Sequence, residues 1–302
     1  MFLSECPLGE MKLVRNGEFK GLSFCDVSPD IPVLTFIGES KYRPWLSDNK
    51  DISCVIATPE LAEVVPDSMG LLVSNSPRTD FYILHNQLKN IKSYCRPDFP
   101  SKISKDSSIS DLAYISKNNV IIGNNVIIEE FVSIKENVII GDNTIIRAGT
   151  KIGCPGFQYF KDGDKREGVH HLGGVIIGND VEILLNSIVE WAIFPWDNTI
   201  IGNQCKLGSL TLIGHCTKVG DRNYINTASI LCGSVTVKDD TYIAPNATIA
   251  KSTIEDNVTV SLGSVVIRNV PANSTVSGNF AVDHYKLLRF IANNFERSPK
   301  KK

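Results

Sequence analysis

The chain is poor in the patterns that announce metal or disulfide chemistry. Its eight cysteines form no C-x-x-C pair, and its five histidines do not cluster with cysteine at ligand spacing. A zinc or redox motif is excluded, no metal is expected, and free thiols packed as small apolar side chains are. There is no excess of one charge. Thirty-one Lys and Arg against 33 Asp and Glu leave −2, with the basic residues scattered, which argues against a nucleic-acid surface. The one basic run, at 300–302, reads as a solvated tail. No stretch of about 18 apolar residues exists, so no membrane span is expected. The opening MFLSECPLGEMK is polar where a signal peptide needs an apolar core, and a cytoplasmic location is expected.

What the chain does have is a period. Ile177, Ile183, Val189, Pro195, Ile201, Leu207, Ile213, Val219, Ile225, Leu231, Val237, Ile243 and Ile249 stand six residues apart. Upstream, Ile122, Ile128, Ile134, Ile140, Ile146 and Ile152 keep the same step, preceded one residue out of phase by Ile103, Ile109 and Ile115. Six suits neither a 3.6-residue helix nor an ordinary strand. It suits a chain that turns a corner every six residues and points one aliphatic side chain inward on each flat side. Three sides make a triangular coil of about 18 residues, and coils stack as a solenoid. Gly123, Gly141, Gly153, Gly178, Gly202, Gly208, Gly214 and Gly220 follow the aliphatic directly and are expected at the tight corners. A small or β-branched residue comes four places after it, as at Val126, Val132, Thr144 and Thr217, and fills a narrow second inward position.

Residues 1–98 lack the period and read as a small α/β domain. Strands are predicted at 33–37, 53–59 and 70–75, and a helix at 79–90 capped by Thr79 or Asp80. CRPDFPSK at 95–102 reads as the linker. The solenoid occupies 99–281, and 282–302 holds a final helix and the tail. Residues 153–176 interrupt the repeat with a polar and aromatic excursion, the kind of loop that carries function on a rigid scaffold. Wrapping the chain at 18 residues per lap puts Asp197 directly beneath His215 and Gly233 directly above it. Laps about 4.8 Å apart would let a carboxylate accept a bond from one imidazole nitrogen and leave the other free as a base. A corner-capping role for Asp197 is the alternative. Cys216 beside His215 is a possible nucleophile, although adjacent strand residues point opposite ways.

The period and its small-residue pattern resemble the hexapeptide-repeat acyltransferases, over roughly residues 103–280. That resemblance implies a mainly β protein, a left-handed parallel β-helix preceded by a small α/β nucleotide-binding domain and followed by a helix. It also implies a homotrimer. LTFIGESKYRPWL (34–46) is similar to the uracil-binding stretch of the UDP-3-O-acylglucosamine N-acyltransferases of lipid A synthesis. It implies a base stacked between Phe36 and Tyr42, with Glu39 where that family has Asn. The bland reading makes Phe36 a core residue and Tyr42 a packing residue. The excursion resembles the same family's glycine-aromatic loop. It implies that Phe157, Tyr159 and His171 meet the nucleotide sugar, in a loop that walls the cleft against the next subunit; a His171 satisfied by backbone is the other reading. LTLIGHCTKVG (210–220) matches the family's catalytic stretch and implies His215 as general base, with the Gly233 amide in the oxyanion hole. Glu190 stands where the family has an Asp and becomes a substrate contact, while Trp191 replaces an Arg.

VTVSLGSVVIRNVPANSTVSGNFA (258–281) is similar instead to the closing coil of acetyl-CoA-dependent sugar acetyltransferases. It implies a short acyl-CoA donor, acetyl-CoA or 3-hydroxybutyryl-CoA, near Lys251 and Gly263. The leading expectation is therefore N-acylation of a dTDP- or UDP-linked amino-deoxysugar for O-antigen or capsule, within lipopolysaccharide or surface-polysaccharide biosynthesis. The alternatives are the lipid A N-acyltransferase itself, using acyl carrier protein, and a nonenzymatic repeat scaffold.

Overall fold

The computed structural model describes residues 1–278 and 281–294. Phe280 of the closing coil, the end of the predicted last helix and the basic tail lie outside the described residues. The first part is a five-stranded sheet of β1 (Lys12–Arg15), β2 (Gly21–Leu22), β3 (Val33–Ile37), β4 (Ile52–Ala57) and β5 (Gly70–Val73), ordered β1-β5-β4-β3-β2. Strands β2 to β5 run parallel and β1 pairs antiparallel to β5. β3 and β4 are buried almost throughout, as parallel strands covered on both faces must be. A short helix α1 (Trp45–Asp48) follows β3, and α2 (Pro77–Leu88) packs on the sheet. α2 begins two residues earlier than predicted. Ser76 takes the cap position and Pro77 the first turn, where its missing N–H costs nothing. The Asp80 carboxylate accepts the Ser74 hydroxyl.

From Lys102 onward the chain winds through three parallel sheets of nine, eight and eight strands. Up to the last lap, each coil strand pairs with the third coil strand along, as in a triangular coil, consistent with the left-handed β-helix. The aliphatic column fills the prism. Ile140, Ile183, Ile213, Val219 and Ile243 are buried, together with the narrow positions Val126, Val132, Thr144 and Thr217. The corners are not made as expected. The residue in left-handed conformation stands three places after the aliphatic, as at Asn125, Asn143, Asp180, Gln204, Leu210, Cys216 and Arg222, all with φ between 54° and 61°. Of the glycines that follow the aliphatic, Gly153 takes a positive φ of 74°; the others serve a different need. A Cβ on Gly214 would lie 2.6 Å from the Gly233 nitrogen, and one on Gly202 would lie 2.5 Å from the Gly220 carbonyl. Glycine is required because the next lap passes too close for any side chain.

Apart from the lap that carries the first excursion and the shortened laps at the C-terminal end, the lap length departs from the expected 18 residues at a place the sequence does not announce. Ile127 pairs with Ile145 and Lys218 with Thr236, 18 apart, but Ile177 pairs with Ile201 and Val189 with Ile213, 24 apart. A second excursion after Glu190 adds six residues. Because six is the repeat itself, the sequence period continues through it unbroken. Pro195 is thus no coil position; it is buried in the excursion, and its carbonyl accepts Arg96 Nε at 2.7 Å. Phe194 from this excursion enters the core of the N-terminal part, 5.9 Å from Phe81 and 5.4 Å from His85 between ring centroids. Trp196 stacks on Phe194 and donates to the Leu22 carbonyl at 2.8 Å.

The first excursion forms a hairpin, Tyr159–Asp162 with Lys165–Gly168, that folds back on α2 of its own chain. Gln158 donates to the Tyr82 hydroxyl at 2.9 Å, Thr79 to the Lys161 carbonyl at 3.0 Å and Asn86 to the Gly168 carbonyl at 2.8 Å. The expected reach away from the subunit is therefore not seen for the hairpin, whose backbone is held at home. A last helix, α3 (His284–Asn294), is exposed along its length.

Candidate functional site

His215 sits on the turn between the strand Leu212–Ile213 and the strand Lys218–Val219. Cys216 takes the left-handed corner and donates its backbone N–H to Thr199 Oγ1 at 3.0 Å. The turn leaves the imidazole half-buried on an edge of the prism. Its ring lies over Gly233, where a Cβ would collide with Cε1 and Nε2. Among the described residues, nothing accepts the Gly233 N–H. Glycine thus brings a ring nitrogen and an unused backbone donor to one place. The His215 backbone N–H donates to Glu190 Oε2 at 2.9 Å. Burial raises the Glu190 carboxyl above the usual carboxylate range, opposed by that bond. Burial likewise lowers the His215 pKa, with the Asp197 charge opposing.

The Gly233 backbone lies against the His215 ring, and Asp197 stands on the same prism edge, just before the strand that pairs with Lys218–Val219; the strand leading into His215 pairs with Ile188–Val189, 24 residues back, so the edge is not a plain 18-residue stack. The expected bond between Asp197 and His215 is not seen. Asp197 Oδ1 accepts Lys218 Nζ at 2.5 Å and the Asn198 N–H at 2.7 Å, and Lys218 also donates to the Asn198 carbonyl. His215 Nδ1 is buried without a partner among the described residues. An ammonium one strand away outcompetes a neutral imidazole for a carboxylate. Asp197 closes the turn that returns the second excursion to the coil. Cys216 as nucleophile fails on its surroundings. Its sulfur accepts the Ile193 N–H at 3.3 Å, and burial, with the neighbouring Asp197 carboxylate, pushes the thiol far above its ordinary value.

His171 is brought against His215, with ring centroids 5.4 Å apart and planes at 67°. Phe157 and Tyr159 remain exposed, with centroids 5.0 Å apart. Phe36 and Tyr42 are half-buried against different clusters. Phe36 leans on Phe81 at 4.9 Å, and Lys41 Nζ lies 4.9 Å over the Tyr42 ring while pairing with Glu39 at 2.8 Å. Lys251 is exposed on the same prism edge as His215, in a lap shortened by one residue. Gly263 turns a different corner, between the strands Thr259–Val260 and Val265–Val266, so one chain does not bring it to Lys251. Below His171 a cleft of ≈ 460 Å³ follows the edge, lined by Arg96, Asn119, Asn137 and Trp191 among others. Trp191 donates Nε1–H to the Glu136 carbonyl at 2.8 Å. Sequence reasoning missed Lys218, Arg96 and Gly156. Lys218 and Gly156 lie within stretches that resemble family motifs, but each of the three acts through a neighbour distant in sequence, which a linear motif does not reveal. Among the described residues, no group of three or more His, Cys, Asp and Glu could hold a metal ion, and no helix is long and apolar enough to cross a membrane.

A triangular parallel coil built of six-residue steps fits a hexapeptide-repeat protein. The family profile "Bacterial transferase hexapeptide (six repeats)" matches residues 119–154. The chain is 32% identical over 280 residues to the UDP-3-O-acylglucosamine N-acyltransferase of Helicobacter hepaticus, covering 85% of this chain and 83% of that protein. It is 31% identical to the Delftia acidovorans enzyme of the same name, over 83% of this chain and 76% of that protein. The match to UDP-3-O-acylglucosamine N-acyltransferase 2 of Legionella pneumophila (strain Paris), 32% identical over 47% of this chain, spans 42% of that relative's length. The chain belongs to the UDP-3-O-acylglucosamine N-acyltransferase family.

Proposed function

We propose that this protein transfers an acyl group from a thioester to the amine of a nucleotide-linked amino sugar, with His215 as general base. The relatives carry the name of the UDP-3-O-acylglucosamine reaction. They favour that substrate class over the dTDP- or UDP-linked amino-deoxysugar expected first. The observation that carries the mechanism is the His215 ring against Gly233, beside an N–H that no described residue accepts. The neutral imidazole takes a proton from the attacking amine through Nε2. The carbonyl oxygen, as it becomes an oxyanion, draws on the Gly233 N–H. The tetrahedral adduct collapses, the C–S bond breaks, and the thiolate leaves and takes up a proton, leaving an amide. No covalent enzyme intermediate is needed. A lowered His215 pKa keeps the base form present below neutral pH.

A second reading, a short acyl-CoA donor and a different amino sugar, is favoured by the Lys41-paired Glu39 at the base-reading position. An ionised Glu only accepts hydrogen bonds, whereas Asn also donates. The test is a mass-shift assay on UDP- and dTDP-linked amino sugars with acyl carrier protein thioesters and with acetyl-CoA or 3-hydroxybutyryl-CoA. Product only from long-chain acyl carrier protein and a UDP-acylglucosamine supports the first reading; product only from a short acyl-CoA replaces it with the second. His215→Ala is expected to lower kcat by about 10²–10⁴-fold, and turnover at the wild-type rate removes His215 as the base.

A further inference from the structure

We propose that His171 is a positioning residue for His215, walling the inner side of its imidazole and fixing the ring edge-out, and does not itself bind the nucleotide sugar. The inference rests on the reading of His215 as the base. His171 lies at the return of the first excursion, outside the aliphatic period. Both its nitrogens are used within the chain. Nδ1 lies 3.1 Å from the Val169 carbonyl, and Nε2 accepts the Gly156 N–H at 3.3 Å. That pattern admits one state, neutral with the proton on Nδ1. A second proton on Nε2 would face the Gly156 N–H with nothing to accept it. His171 therefore has no nitrogen left to take a proton from an amine or to grip a phosphate.

Three further observations give the wall its rigidity. Gly156 lies in the narrow space between the two imidazoles and Glu190, where any Cβ would strike the Glu190 carboxylate and the His215 ring. The Glu190 carboxylate holds the His215 backbone N–H, so the catalytic turn is tied on its other side. The return segment itself is anchored to α2 and the residue that caps it: His85 Nε2 lies 2.8 Å from the His170 carbonyl, Asn86 Oδ1 accepts the His170 N–H at 2.9 Å, and Lys89 Nζ lies 2.8 Å from His170 Nε2. Around His215 the charged or titratable groups are Glu190, Asp197 with its partner Lys218, the Cys216 thiol and His171; behind His171 stand His85, His170 and Lys89. A neutral ring at 5.4 Å excludes water from one face of His215 and adds no charge that would tilt it toward Glu190. The His171 pKa is lowered to about 4 by burial and by the neighbouring His215, which agrees with the single state its bonds allow.

The test compares the wild type with His171→Ala, His171→Asn and His171→Phe, reading kcat/KM against pH and the NMR titration of the His215 Cε1 proton. In His171→Ala water reaches the inner face. The acid limb and the His215 titration both move up by about one unit, with kcat reduced and KM for the nucleotide sugar unchanged. His171→Phe keeps the wall, and its acid limb stays at the wild-type position. His171→Asn keeps an acceptor for Gly156 but not the wall and follows the alanine variant, so it carries the comparison if that variant does not fold. An unmoved limb and titration in the Ala and Asn variants, with a raised KM for the nucleotide sugar, would overturn the proposal and make His171 a substrate contact. Failure of the base reading has a separate signature: His215→Ala retains turnover, or the wild-type acid limb does not track the His215 titration.

Discussion

At the residue scale, the close passage of successive laps decides which positions tolerate a side chain. Gly214 precedes the candidate base, and its Cβ would meet backbone atoms of Gly233, Cys232 and Leu231. Backbone cannot move aside as a flexible side chain can. Gly214→Ala is expected to destabilise the coil by about 1–3 kcal/mol and to displace His215. The checks are urea unfolding and kcat, and unchanged values in both would refute the packing argument. His85 carries a pH effect. It is fully buried between the Tyr94 hydroxyl at 2.8 Å and the His170 carbonyl, and burial lowers its pKa to about 4. Its folded value lies below the unfolded one, so between about 6.5 and 4 the unfolded chain binds more protons. The stability is present above about pH 6.5 and is lost as the pH falls toward 4, by up to about 3 kcal/mol. His171 adds in the same direction. Unfolding free energies at pH 7 and pH 5 should converge in His85→Leu, which is less stable at pH 7 and flatter with pH; an unchanged slope in this variant would exclude His85 as the source.

At the scale of elements, the two excursions do different work from that expected of loops on a scaffold. The second inserts Phe194 and Trp196 into the N-terminal core, and the first is stitched to α2. The core of the first 98 residues therefore continues into Phe160, Val169, Ile193 and Phe194. This joint is what brings His171 to His215. Much of each element was legible. The strand β3, the helix α2 to within two residues, the inward aliphatics and the excursion at 153–176 all follow from period and turn chemistry. The second excursion was hidden because its added length equals the repeat. The Asp197–His215 bond was inferred from stacking alone, and stacking places residues without saying which neighbour takes a carboxylate. Lys218 took it because an ammonium gains more there than a neutral ring.

At the scale of the whole molecule, the sheet carrying Ile188, Ile230 and Val265 and the adjoining corner carrying Leu184, Leu185, Leu210 and Leu262 expose several large apolar side chains on one side of the prism. Clustered exposed apolar side chains of this kind suit an association surface. With the threefold assembly that the hexapeptide resemblance implies, the expected outcome is a trimer in sedimentation velocity. Leu210→Glu with Ile230→Glu should yield monomer and lower activity by at least about tenfold, as like charges meet across the interface. A wild-type monomer with full activity would dismiss the trimer.

The sequence by itself determined the prism: a six-residue aliphatic period admits one way to bury its side chains, so fold class and the coil interior follow from local chemistry repeated. Only the tertiary structure decided the site. Which atoms meet at His215 depends on two excursions of no period, on a glycine that lets two imidazoles approach, and on a lysine that claims the carboxylate beneath. Those contacts join residues far apart in the chain, and competition among neighbours in space leaves no trace in spacing along it.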